Sequence, residues 1–179
     1  MHLKKEIANI NTTLSVMLGF LLMLVGLVSP WLFQKWMPSG SPNIYSDSTL
    51  FISGSLGIAA GLFFREYYRY LMSKLLGLDS VIIKEFGAKA MVKGYVIRWH
   101  AISITLAPFI DLTIIAFLLM VLINSWIIAV GAVTFLTVNL MLSARDIIAG
   151  FLIYRYASSK DFILFAQEGF QVWAAENSD

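Results

Sequence analysis

The chain holds 179 residues, of which 59% are hydrophobic and 13% charged, with a net charge of +2 and no cysteine. Soluble domains run at roughly 45–50% apolar and about 25% charged, and a short chain buries only a limited share of its surface, so a water-soluble globule is excluded and a bilayer is the solvent that fits. The charge is too small for nucleic acid to be a main partner. Without cysteine there are no disulfides, thiolate metal sites or cysteine nucleophiles.

In chain order, His2, Lys4 and Lys5 form a short N-terminus expected to be flexible, ahead of an apolar run over 14–33. The basic start and apolar run look like a secretory signal. However, the run exceeds the roughly 7–15 residues of a cleaved core and no small-x-small cleavage site ends it, so it reads as a retained first span. Further stretches at 49–66, 101–123 and 126–143 are long enough for the roughly 30 Å of hydrocarbon. Pro38, Gly40 and Pro42 mark a loop between the first two spans. Asn124 and Ser125 leave room only for a tight antiparallel connection between the last two.

All lysines and arginines except Lys35 lie in the N-terminus, in 65–98 or beyond Ser143. The positive-inside rule then gives a multi-pass plasma (inner) membrane protein with both termini in the cytoplasm. Aromatic residues support this orientation. Trp31, Trp36 and Trp126 fall at the outer interface, and Tyr67, Tyr68, Tyr70, Trp99, Tyr154 and Tyr156 at the inner one, the depth amphipathic rings prefer.

The cytoplasmic connection 67–100 is expected to contain a helix starting at Val81, capped by Asp79 and Ser80, with Glu85, Lys89 and Lys93 four apart on one face. It either lies on the membrane with its lysines toward anionic headgroups or simply connects. In the tail, 144–179, the fourth helix continues through Arg145 and Asp146 to Tyr156 or breaks near Arg145. Beyond Ser159, 162–166 and 170–173 make either a hairpin through Gln167, Glu168 and Gly169 or a second amphipathic helix, packed on the inner connection or a neighbouring subunit. The expectation is an all-α integral membrane protein: one transmembrane domain over 1–179, a four-helix bundle with an amphipathic cytoplasmic-side segment and a short C-terminal tail.

Asp111 is the conspicuous polar residue. It falls near the middle of the third span, where an acid costs at least ~2.5 kcal/mol. Pro108 has no N–H for the carbonyl of Ile104, and Thr105 and Thr113 add oxygens. A kink, a freed carbonyl and an acid together suit an ion or proton site; the alternative is interhelical glue. Ser53, Gly57 and Gly61 form a small-xxx-small stripe on the second span, suited to close helix packing within the chain or between copies. Lys89, Lys93, Arg145 and Asp146 are the expected cytoplasmic interface, with Arg145 read as snorkelling beside a neutralising Asp146. No metal-ligand spacing accompanies His2 or His100. Catalytic carboxylate pairs, Walker loops, nucleophile elbows and dinucleotide fingerprints are missing. No enzyme activity, metal or cofactor is expected.

The run from Ala144 to Ile153, followed by Lys160-Asp161-Phe162-Ile163, resembles the inner end of the pore helix in small-conductance mechanosensitive channels. That family usually carries a large cytoplasmic β-domain after this helix, for which the residues up to Asp179 are too few. The same stretch with Arg98 and Asp111 is similar to the RDD family, in which an arginine and two aspartates recur near helix ends. Each resemblance covers under a third of the chain, and neither family is assigned.

Two functional expectations follow. The first is a non-enzymatic membrane protein acting through helix–helix contacts and its cytoplasmic face on a second protein, in the class of immunity, exclusion, phage-defence or complex-assembly components. The second is a small homo-oligomeric ion channel or transporter using Asp111 and the Pro108 kink.

Overall fold

The computed structural model describes residues 1–7, 12–32, 48–83, 89–123, 125–166 and 169–174. Four helices carry most of the chain: α1 Thr12–Leu32, α2 Ser48–Leu75, α3 Arg98–Leu122 and α4 Trp126–Tyr156. Of these, α2, α3 and α4 are long and apolar enough to cross a membrane. At 1.5 Å per residue α2 is about 42 Å long and α4 about 46 Å, so both outrun the hydrocarbon. Each of the other three helices packs on α4.

The chain is not all-α. Strands β1 His2–Ile7, β4 Tyr95–Ile97, β5 Phe162–Phe165 and β6 Phe170–Ala174 form an antiparallel sheet in the order β1-β6-β5-β4. A second hairpin pairs β2 Ser80–Ile83 with β3 Lys89–Val92. The helix expected from Val81 is therefore a strand, for a reason visible in Val81, Ile82 and Ile83: consecutive β-branched side chains favour a pleated surface over a helix. Lys89 heads β3, Lys93 is exposed just past its end, and Glu85 lies outside the described residues. The N-terminus expected to be flexible is the edge strand β1, held by β6. The tail takes the hairpin alternative, with Phe165 opposite Phe170, and α4 runs unbroken past Arg145 to Tyr156.

Helix α2 stops in a Schellman turn. Gly77 sits at φ +72°, its N–H reaches the Lys74 carbonyl, and that of Leu78 reaches the Ser73 carbonyl, the pattern a left-handed glycine cap allows. All strands lie before α1, between α2 and α3, or after α4, so the alternation of up and down helices gathers them at one end of the bundle, the sheet end. There Val96, Ile163 and Val172 stand opposite one another across β4, β5 and β6. With Phe170 they are essentially unexposed, packed with Ile104 and Ile153 of the helices.

The sheet is pinned at β1 by an ion pair. A bulge between Leu3 and Lys5 accompanies the contact of Lys4 Nζ with Asp161 Oδ2 at 2.8 Å, and the same oxygen accepts the Ser158 N–H at 2.7 Å. Burial alone would raise the Asp161 pKa, but the bonds from Lys4 and Ser158 outweigh it and hold it below the ordinary carboxylate value. A depressed folded pKa gives stability that is present above the unfolded value of about 3.9 and lost as pH falls through the folded one. The β1–β6 edge should therefore loosen in acid below about pH 4, read as faster proteolysis at β1 or a change in Trp173 fluorescence. Asp161→Asn should flatten that acid dependence; an unchanged pH profile in this variant would show that another group sets it.

Candidate functional site

Helix α2 turns one residue in every four to α4: Ser53, Gly57, Gly61, Arg65 and Arg69. The register is constant. A Cβ on Gly57 would strike the Gly131 carbonyl and the Thr134 hydroxyl, and one on Gly61 would reach Val138 Cγ1 at 2.9 Å. Ser53 Oγ donates to the Ile127 carbonyl at 2.5 Å. The small-residue stripe is thus covered by α4 of the same chain. A four-residue step keeps its members on one slowly drifting helical ridge, and the absence of side chains at Gly57 and Gly61 lets the backbones meet.

The stripe then becomes cationic. Arg65 Nη2 donates to the Leu142 carbonyl at 2.6 Å and to Asp146 Oδ2 at 2.5 Å. Arg69 Nη2 reaches the same Asp146 oxygen at 2.7 Å, and its Nη1 reaches Glu66 Oε1 at 2.6 Å. Glu66 Oε2 in turn accepts the Ala90 N–H of β3 at 3.0 Å. These four charged side chains are each no more than 16% exposed. Two guanidiniums against two carboxylates leave the cluster neutral, the condition under which charges tolerate low-dielectric surroundings. The cluster locks α2 to α4 and, through Ala90, seats the β2–β3 hairpin. Asp146 is thus an internal anchor, buried at 7% exposure, while Arg145 beside it is exposed.

Asp111 accepts a hydrogen bond from the Tyr68 hydroxyl at 2.8 Å. Near it, Asn139 Nδ2 lies 3.3 Å from both the Pro108 carbonyl and Thr113 Oγ1. Asn139 is fully buried. It stands three residues before Leu142, so Asp111 lies within about two turns of the Arg65 cluster. Thr105 is not part of this group, because its hydroxyl bonds back to the Ala101 carbonyl of its own helix at 2.7 Å. Asp111 and Pro108 come together with Tyr68, Asn139 and Thr113 in a set of bonds that ties α2, α3 and α4. Among the described residues no three histidine, aspartate or glutamate side chains group as a metal set.

The sheet has a second face. Leu3, Trp173, Phe162 and Ile97 lie opposite one another across all four strands, and Tyr95, Leu164 and Gln171 form the next row. These rows alternate with the buried one, so they lie on the side away from the helices. The Tyr95 and Trp173 rings meet edge-on at 5.7 Å. Leu3 and Tyr95 are 45% exposed and Ile97 43%.

The sequence reading passed over Arg65, Glu66 and Arg69, although the four-residue spacing of Ser53, Gly57 and Gly61 reaches Arg65 and Arg69 if continued. Asn139 and the outer sheet face carried no comparable signal, since both depend on partners distant in sequence. No family model, no curated protein and no solved structure matches the chain.

Proposed function

We propose that the chain is a four-span plasma-membrane protein with its sheet end in the cytoplasm, acting without catalysis as a docking platform for a partner protein. This is the class that immunity, exclusion, phage-defence and complex-assembly components occupy. The observation that carries the reading is the outer sheet face. Leu3, Ile97, Phe162, Leu164, Tyr95 and Trp173 make an apolar surface with aromatic members on the outer face of the sheet, and such patches mark interaction sites.

Membrane placement draws on the three long apolar helices and on the apolar exposed residues of α1, among them Val16, Met17, Phe20 and Leu21, which suit a fourth span. The cytoplasmic orientation draws on the lysine and arginine distribution. A homo-oligomeric channel through Asp111 and Pro108 has less support. Asp111 is bonded to Tyr68, and the small-residue stripe faces α4 rather than a second copy.

The test is site-specific photo-crosslinking in native membranes, with the reactive residue at Leu3 or Ile97 and a control at Phe63, which is 72% exposed on α2. A discrete protein adduct from the sheet positions and not from Phe63 is the expected result. Lipid adducts alone at Leu3 and Ile97 would sink the docking reading, and adducts between copies would redirect it to a homo-oligomer.

A further inference from the structure

At the sheet end an apolar groove of about 350 Å³ runs between α3 and α4. Trp99, Leu106 and Ile110 line one wall, and Ile147, Gly150 and Phe151 the other. Gly150 makes the hollow: a Cβ there would already stand 3.0 Å from Leu106 Cδ2. Phe151 at 59% and Trp99 at 54% exposure show that the groove opens outward.

At its mouth sits Arg98, the first residue of α3. Its guanidinium lies 5.0 Å from the Trp99 ring and 4.6 Å from the Tyr154 ring, and Nη2 donates to the Tyr154 carbonyl at 3.1 Å. Its Nε is buried and has no hydrogen-bond partner. Among the described residues no carboxylate pairs with Arg98. The first turn of α3 contains no acid.

We infer that this groove is a binding site for one anionic phospholipid, with an acyl chain along the apolar walls and the headgroup phosphate on Arg98. Two features argue for this occupant over a peptide or a second copy. One is charge: an uncompensated guanidinium, whose planar fork suits phosphate, closes one end of a groove that is otherwise apolar. The other is depth. With the outer interface at Trp126, about 30 Å of hydrocarbon ends near residue 146 of α4. On that measure Ile110, one turn past the Leu106 that meets Gly150, reaches the acyl region, Ile147 stands at its edge, and Gly150, Phe151 and Tyr154 lie about 6–12 Å beyond it, on the headgroup side where Arg98 meets the Tyr154 ring. The inference rests on the membrane orientation proposed above.

The experiment releases the full chain from nanodiscs of phosphatidylethanolamine and phosphatidylglycerol, three to one, into native mass spectrometry. Wild type and Arg98→Lys are expected to retain one phosphatidylglycerol per chain. In Arg98→Gln its retention should fall about tenfold or more, the factor for loss of a charge-assisted hydrogen bond. Ile110→Trp, at a position 46% exposed and so tolerant of size, should fill the groove and abolish retention with the charge intact. Retention in the bulk lipid ratio, equal retention in all variants, or a second copy in place of lipid would overturn the site. The orientation has its own readout: Trp99→Cys labelled by an impermeant thiol reagent from outside the cell would break the orientation, whereas lipid results that ignore Arg98 break the lipid site alone.

Discussion

Asp146→Ala is expected to lower the melting temperature of the detergent-extracted protein by about 6–12 °C, the shift for a loss of about 3 kcal/mol in a chain of this size. The carboxylate is the shared acceptor of Arg65 and Arg69, at 2.5 and 2.7 Å. Removing it leaves two guanidiniums against Glu66 alone, in a setting where those side chains are 12% and 16% exposed. An unpaired buried charge is penalised far more than a missing surface pair. Asp146→Asn keeps an acceptor and loses only the charge, so it should fall between wild type and alanine. A quadruple change that also replaces Arg65 and Arg69 with methionine and Glu66 with glutamine should recover much of the loss, since no unpaired charge is then left buried. If Asp146→Ala melts with the wild type, the cluster does not hold α2 on α4.

The second large effect compares two glycines one turn apart. Gly57→Ala should destabilise by about 1–3 kcal/mol or more, because its new methyl group meets the Gly131 carbonyl and the Thr134 hydroxyl on α4. The first of these is backbone and cannot swing away. The disturbance would travel along the register, since Ser53, Gly61, Arg65 and Arg69 share the stripe. Gly54→Ala is the internal control. There the nearest atom is a Val130 methyl carbon at 3.5 Å, an ordinary contact, and alanine's better helix propensity should leave stability unchanged or raised by up to about 1 kcal/mol. Thermal melts of the two variants side by side decide the matter, and equal melting temperatures would mean that no close backbone approach exists at Gly57.

The helices were legible in the sequence because length and continuous apolarity are local properties. The boundaries at Leu32, Ser48, Leu122 and Trp126 lie within a residue or so of those read from composition. The sheet was not legible as a sheet. The hairpin of β5 and β6 has a local turn to announce it, but β1 and β4 pair with segments far along the chain, and nothing in His2–Ile7 signals that β6 will cover it. The error at Val81 came from weighing a capping pattern and a spacing of lysines above three consecutive β-branched residues. The site divides in the same way. Asp111 was found because a lone acid in an apolar run is conspicuous, whereas its partner Tyr68 was read only as an interfacial ring. Asp146 was noticed beside Arg145, its neighbour in sequence. Its partners in space are 77 and 81 residues away.

The strand order β1-β6-β5-β4 also imposes a timetable. During synthesis β1 emerges first and β6 last, so the earliest strand waits, with its hydrogen-bonding edge open, until every helix has been made. Val96 and the sheet-side ends of α3 and α4 stay uncovered from the time each is made until β5 and β6 follow. Closure of the sheet is then the final event of assembly, one of the long-range pairings that chains complete slowly. A chain stopped before Phe170 would hold α1 to α4 and the β4–β5 pair, with β1 left unpaired and Val96 and Ile163 without the cover of Val172 and Phe170.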